Sequence, residues 1–214
     1  VKELKIKSAV IQEIHHRVKN NLQTIASLLR LQARRSNSME VKEALKESVN
    51  RILSISVVHE FLSQQGDENI DVMEVTKNIL QLIQQNMLDS HFKLETEFIG
   101  ETIILPSKQA SNLALIINEL ILNSIEHGFL GRNYGKIGLK ISQSDEAYII
   151  ELYDNGNGLP ENFSDLPTKS LGLQIVRTLI EGDMNGSFDL YNDNGVHAKI
   201  AIPYKFLMES EVDV

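Results

Sequence analysis

Apolar residues recur at helical spacing from the start of the chain. Ile11, Ile14, Val18, Leu22, Ile25 and Leu29 fall on one stripe at roughly 100° per residue. No Gly or Pro interrupts residues 2–35, which predicts one helix roughly 50 Å long. Arg34 and Arg35 sit where cations suit its C-terminus. Ser36-Asn37-Ser38 breaks the pattern, and Asn37 with Glu40 has capping-box spacing for a second helix. That helix runs to about Leu62, with Val41, Leu45, Ile52, Ile55 and Leu62 on its buried side. Two long helices joined by a short turn form an antiparallel hairpin, whose apolar face has nothing of its own to cover it. A symmetric dimer closing a four-helix bundle is the economical solution. His59 falls on the apolar side and reads as a core or domain-junction histidine.

A polar, glycine-bearing stretch, Ser63 to Asn69, then marks a boundary. The division expected is 1–66, 67–208 and a tail of 209–214. Asp71 can cap a helix with Glu74 three residues on, and Val72, Val75, Ile79, Ile83 and Met87 form its inner face. Phe92, Leu94 and Phe98 alternate as a strand, and Thr102 to Leu105 form another that Pro106 ends. A long helix spans about Ser107 to His127. Alternation returns at Ile137, Leu139 and Ile141 and from Tyr148 to Tyr153. A helix from about Leu171 to Ile180 precedes a hairpin, Ser187–Tyr191 and Val196–Ile202, around Asn194-Gly195. Helices among mostly hairpin-linked strands place this half in the α+β class, with helices on one face of a sheet. The acidic tail after Tyr204 is expected to fray.

Composition narrows the function. With 214 residues and 42% hydrophobic content the chain can build one or two cores. A net charge of −8 argues against a general nucleic-acid surface. No stretch approaches ~18 uninterrupted apolar residues, and no signal peptide is visible. No membrane contact is expected from this piece, and a cytoplasmic location is. The absence of cysteine excludes disulfides, thiol catalysis and Cys-ligated zinc. The six histidines show no metal-ligand spacing. A start at Val1 rather than Met reads as a fragment with an upstream sensor region missing.

One histidine stands where packing has no use for it. His15 flanks the apolar stripe, about 60° from its centre, while His16 lies about 160° away and points to solvent. Asn20 and Gln23 share that face. The run His16-Arg17-Val18-Lys19-Asn20-Asn21-Leu22-Gln23 resembles the phosphoacceptor box of the sensor histidine kinases that carry HRxxN, a subgroup related to the HWE kinases. Such a box requires an ATP site downstream.

That site is legible in three places. Asn112, Glu119 and Asn123 lie within about 40° of one another on the helix that starts at Ser107. Glu119-x-x-x-Asn123 followed by His127-Gly128 resembles the N box of the GHKL ATPases, which implies that Asn123 holds Mg²⁺. Asp154-Asn-Gly156-Asn-Gly158 directly after a strand resembles the box whose Asp takes the adenine amino group. Thr168-Lys169-Ser170-Leu171-Gly172-Leu173 is similar to the second glycine box, whose backbone N–H groups suit phosphates. It departs from the pattern by keeping only Gly172, with Thr168 and Ser170 in place of the other glycines. Glu126 stands where related kinases commonly have Lys, and the lid, about Leu159 to Lys169, is short.

The resemblance covers about residues 8 to 203. It implies a phosphoacceptor hairpin, dimeric as a four-helix bundle, followed by a Bergerat-fold α/β sandwich. The implied reaction moves the γ-phosphoryl of Mg-ATP to His16 and then to an Asp of a response regulator receiver domain. Many histidine kinases have an acid directly after the phosphoacceptor; here that residue is Arg17, free to pair with phosphate oxygens. Glu13, about 60° round the helix, and Glu119 remain as groups to orient the imidazole or take its proton. Asn20 is placed to orient a water for dephosphorylation. The alternatives are a serine kinase of the anti-sigma-factor type, which does not need His16, and a dimeric scaffold that has lost ATP.

Overall fold

A computed structural model describes residues 2–65, 70–161, 163 and 171–208. Helix α1, Lys2–Arg35, and helix α2, Met39–Gln65, form the expected hairpin. The cap is one residue off the expected position. Ser38, not Asn37, takes the N-terminal N–H of α2, its Oγ accepting from Val41 at 3.3 Å. Serine three residues before the bonded amide satisfies one of the donors a helix start leaves open.

The face assigned to the second helix also shifts. Val49, Ser54 and Ser56 are buried, while Val41 is exposed and Leu45, Ile52 and Ile55 are half-buried; the Leu62 side chain lies outside the described residues. Ser54 faces the second half of the chain, its Oγ donating to Met87 Sδ at 3.7 Å, whereas Val49 lies beside Arg30, Ala33 and Arg34 of α1. Ala26 is the one residue of α1 in the core among those described, and the predicted stripe is partly open: Ile14 is 52% exposed and Ile25 45%, while Val18, Leu22 and Leu29 are half-buried. Leu28, beside the stripe, is 59% exposed.

The second half is a two-layer α/β sandwich. Five strands run in the order β2-β4-β5-β7-β6, from β2 (Lys93–Gly100), β4 (Tyr134–Gln143), β5 (Ala147–Asp154), β6 (Ser187–Asn192) and β7 (Val196–Pro203). All pairings are antiparallel except β2 with β4, so the sheet is less hairpin-built than the sequence predicts. That parallel pair is joined by a crossover through β3 (Ile104–Leu105) and α4 (Ser107–Asn123). The two-residue β1 (Ile70–Asp71) pairs with β3 in a separate ribbon. Asp71 caps α3 (Val72–Asn86) as expected, its Oδ1 accepting from the Glu74 N–H at 3.0 Å.

Strand alternation decides which face the helices cover. Ile137, Leu139, Ile141, Ile150, Leu152, Ala198, Ile200 and Ile202 point to α3, α4 and α5 (Leu171–Arg177) and are buried. The opposite face carries Tyr153, His197 and Tyr191 in a stacked row. Helix α4 is apolar nearly all round, with Leu113, Ile116, Ile117, Ile121 and Leu122 almost wholly buried, because sheet, α3, α5 and α2 surround it. The tail expected to fray begins instead as a helical turn, α6 (Tyr204–Met208). The Tyr204 hydroxyl donates to the Ser144 carbonyl at 2.6 Å, and its ring meets Tyr148 edge-on. Residues 209–214 lie outside the described residues. Among those described, no helix is long and apolar enough to cross a membrane.

Candidate functional site

Helix α4 presents the acidic and amide residues of the site, and a π-helical turn, Ser124–Gly128, carries it toward β4. Such π turns are uncommon and concentrate at functional sites. Ser124 occupies the first position of the turn and donates from Oγ to Asp154 Oδ2 at 2.6 Å. Asp154, at the end of β5, also accepts from the Gly156 N–H at 2.7 Å and the Val196 N–H at 3.2 Å. A carboxylate held from three directions is fixed in orientation and loses little further freedom when a ligand arrives. Behind it Gly156 passes so close to Gly128 that a Cβ would lie 2.6 Å from the Gly128 carbonyl oxygen. Only glycine fits this crossing. The Asn157 N–H donates to that same oxygen at 2.8 Å. Gly158, at φ +79°, turns the chain so that the Leu159 N–H reaches the Asn192 side chain at 2.7 Å.

Asn123 sits at the last α-helical position of α4. Its Nδ2 is buried without a hydrogen-bond partner. Four residues earlier Glu119 is 2% exposed, and it does not stand open beside Asn123 as the wheel implied. Its Oε2 accepts from Nε of Arg51 on α2 at 2.6 Å. Burial holds the Glu119 carboxyl above its usual range, against the opposing pull of the Arg51 guanidinium. Next to that pair, Asn50 donates from Nδ2 to Glu126 Oε1 at 3.3 Å. Burial raises the Glu126 carboxyl, the Asn50 bond opposes this, and the nearby Glu47 charge adds to it. His127 is exposed and lines a cavity of about 1090 Å³ between the hairpin and this domain, together with Lys19, Lys46, Asn50 and Glu126.

Gly172 joins the same neighbourhood. A Cβ there would collide with the Glu119 carboxylate and lie 3.0 Å from Nη2 of Arg51. Leu173, expected at the nucleotide, instead has its side chain in the hydrophobic core; helix periodicity turns it inward once α5 packs on α4. Leu171 opens α5, and its side chain lies outside the described residues, as do Lys169 and Ser170.

On the hairpin, His16 is exposed as its helical phase predicts, and Asn20 one turn on is exposed too. The side chain of His15 lies outside the described residues. Glu13 and Arg17 pair with each other at 2.8 Å on the open surface, so neither is turned to the imidazole or to the ATPase half. Asn112 is half-buried, and His59 is half-buried at the hairpin's inner side.

The structure thus gathers Glu119, Asn123, Asp154, Gly156 and Gly172 around α4, with Glu119 engaged by Arg51, while His16 stands exposed on α1. Arg51 and Asn50 escaped the sequence reading. The signal was a charged residue inside the pattern Val49-Asn50-Arg51-Ile52, but periodicity within α2 does not reveal that its neighbour belongs to another domain. Ser124 escaped because a helix was assumed to run unbroken through residue 127.

Residues 13–87 match the family described as histidine kinase, and residues 108–206 match the family described as histidine kinase-, DNA gyrase B-, and HSP90-like ATPase. The sensor histidine kinase PdtaS of Mycobacterium tuberculosis is 40% identical over 200 residues, covering 92% of this chain and 40% of that protein. The blue-light-activated histidine kinase 2 of Erythrobacter litoralis is 27% identical over 179 residues, covering 80% of this chain and half of that one. In fold, the chain superposes on the histidine kinase domain of the Erythrobacter litoralis EL346 blue-light activated histidine kinase with a TM-score of 0.62. The match covers 98% of both chains at 23% identity. The chain spans 40% of the length of its PdtaS relative. Histidine kinase hairpin first and GHKL-type ATPase domain second, the chain belongs to the sensor histidine kinases of the HWE-related group.

Proposed function

We propose that this chain is the autophosphorylating core of a two-component sensor kinase, moving the γ-phosphoryl group of ATP to His16 and onward to an Asp of a receiver domain. The observation that carries the reading is an exposed His16 on a hairpin against which an ATPase domain is docked through its N-box glutamate. The working division is 1–66 for dimerisation and phosphoacceptance, 67–208 for nucleotide binding, and 209–214 as a tail.

Asp154 is the group for the adenine amino function, because its carboxylate is already oriented by Ser124, Gly156 and Val196. Gly156 and Gly158 let the ligand lie close to backbone, and the backbone N–H groups of the box from Lys169 to Leu173 are the ones to take the phosphates. Asn123, at the last position of α4, is the residue to hold Mg²⁺ through its side-chain oxygen. When bound, Mg²⁺ neutralises the charge on the transferring phosphoryl group. The nucleophilic nitrogen of His16 must be unprotonated and lined up with the γ-phosphorus, and positioning supplies much of the rate. Glu119 is the carboxylate to take or polarise the imidazole proton. Glu13 is the weaker candidate, being spent on Arg17 in a solvated pair of small energetic weight. Asn20 is left for water during dephosphorylation, and His127 for the nucleotide's edge.

The test is incubation with γ-labelled ATP and mapping of the label. The expected product is acid-labile, alkali-stable phosphate on His16, abolished by His16→Ala and kept by His15→Ala. Full labelling of His16→Ala would overturn the assignment. Acid-stable phosphate would place the chain with the serine kinases, and failure to bind nucleotide would leave only a scaffold.

A further inference from the structure

The contact between the two halves of the chain is made by the expected transfer machinery itself. Glu119 and Arg51 meet at 2.6 Å with their side chains 2% and 12% exposed. A carboxylate so far from water persists in charged form only beside a partner. Gly172 closes another side of the pair, since any Cβ there would strike the Glu119 carboxylate. One residue along α2, Asn50 adds its bond to Glu126. The N-box glutamate and the remaining glycine of the second glycine box therefore both lie against one guanidinium from the hairpin.

The height of this contact along the hairpin gives it meaning. The turn of the hairpin is centred near residue 37. His16 lies about 21 residues before it and Arg51 about 14 after it, an offset of about seven residues or roughly 10 Å at the helical rise. Proton exchange and in-line transfer need reacting atoms about 3 Å apart. While Arg51 holds Glu119, that carboxylate is seated nearer the turn than His16. Arg17, next to His16, faces Glu13 and not the ATPase domain.

We propose that Arg51 is an internal latch: it holds the ATPase domain by Glu119 in a waiting position, and transfer to His16 requires the pair to part and the domain to move along the hairpin. The latch rests on the reading of His16 and Glu119 given under the proposed function. Two arrangements then compete for one carboxylate, and whatever favours one of them shifts the balance by its differential affinity.

The experiment uses the whole chain with two substitutions. Arg51→Met keeps an unbranched stem and removes the charge; Arg51→Lys keeps the charge and loses the planar fork. Hydrogen–deuterium exchange without nucleotide, read over 47–55 and 115–123, reports the docking. The initial rate of phosphate incorporation at His16 under saturating Mg-ATP reports the transfer. In Arg51→Met both are expected to rise about fivefold or more, with Arg51→Lys between. Labelling that falls while the thermal transition stays native would overturn the latch, because the guanidinium would then serve the phosphates. Exchange that stays at the wild-type level would overturn it too. Should Arg51→Met lose its native transition, Arg51→Lys carries the test, with smaller rises of both readouts expected. A wild-type chain that does not label His16 sinks the kinase reading on its own, and exchange over the two segments still decides whether Arg51 holds the domains.

Discussion

Glu119 is asked to do two things, and one substitution separates them. Glu119→Gln keeps shape and hydrogen bonding but removes the charge that answers Arg51. If Glu119 is the base, the variant binds Mg-ATP with near-normal affinity yet labels His16 at least about a hundredfold more slowly, even though the latch is loosened. Normal labelling with intact affinity would dismiss the base role. Weakened Mg-ATP binding with proportionate labelling would place the carboxylate in the outer shell of the metal. Asp154 is different, since its carboxylate is structural before any ligand arrives. Asp154→Ala strands the Ser124 hydroxyl and the N–H groups of Gly156 and Val196 in a site where the residue is 4% exposed. A loss of about 2–4 kcal/mol is expected in urea unfolding, with adenine nucleotide binding gone. Unchanged stability would mean that these donors find other partners.

Helix ends test the physics of the elements themselves. Ser38→Ala should cost about 1 kcal/mol because its Oγ serves the Val41 N–H. Asn37→Ala should stay within about 0.5 kcal/mol, since Asn37 is exposed and caps nothing in the structure. Chemical denaturation of both variants decides it, and a larger loss at Asn37 would restore the capping box that the spacing implied. The case shows what was legible and what was not. Residue types named the helix start to within one position, but Asn37 and Ser38 are both good caps, and only backbone geometry chooses. Asp71 was unambiguous because Glu74 follows it and an apolar face begins at Val72, so local signals agreed. Strand alternation gave β4, β5 and the final hairpin for the same reason. The parallel pairing of β2 with β4 was not readable, as it depends on where the crossover through α4 lands. Among candidate site residues, motif spacing named Asn123, Asp154, Gly156 and His16 from local chemistry alone. Arg51 was hidden because its role exists only across the domain seam, about 68 residues away in sequence from Glu119. The inward turn of the Leu173 side chain was not readable from the box, because packing of α5 on α4 decides its direction.

At the scale of the molecule, the hairpin leaves apolar surface open to solvent. Its first helix puts Ile14, Ile25, Leu28 and Leu31 into solvent at 44–59% exposure, and Met39 and Val41 beside the turn are open as well. The ATPase domain docks through the opposite, polar-lined part of α2, where Arg51, Ser54 and Asn50 make their contacts. It therefore cannot cover this stripe while the seam persists. An apolar band along two helices is what a second hairpin would bury in a four-helix bundle, and each fully covered Leu or Ile contributes about 1.5–3 kcal/mol. Light scattering at tens of micromolar should give twice the chain mass. Ile25→Glu with Leu28→Glu places two charges on the seam and should yield a monomer whose ATPase domain unfolds at the wild-type temperature, because neither residue belongs to its core. A wild-type chain that runs as a monomer would refute the bundle. A double variant that stays dimeric would move the interface off this stripe.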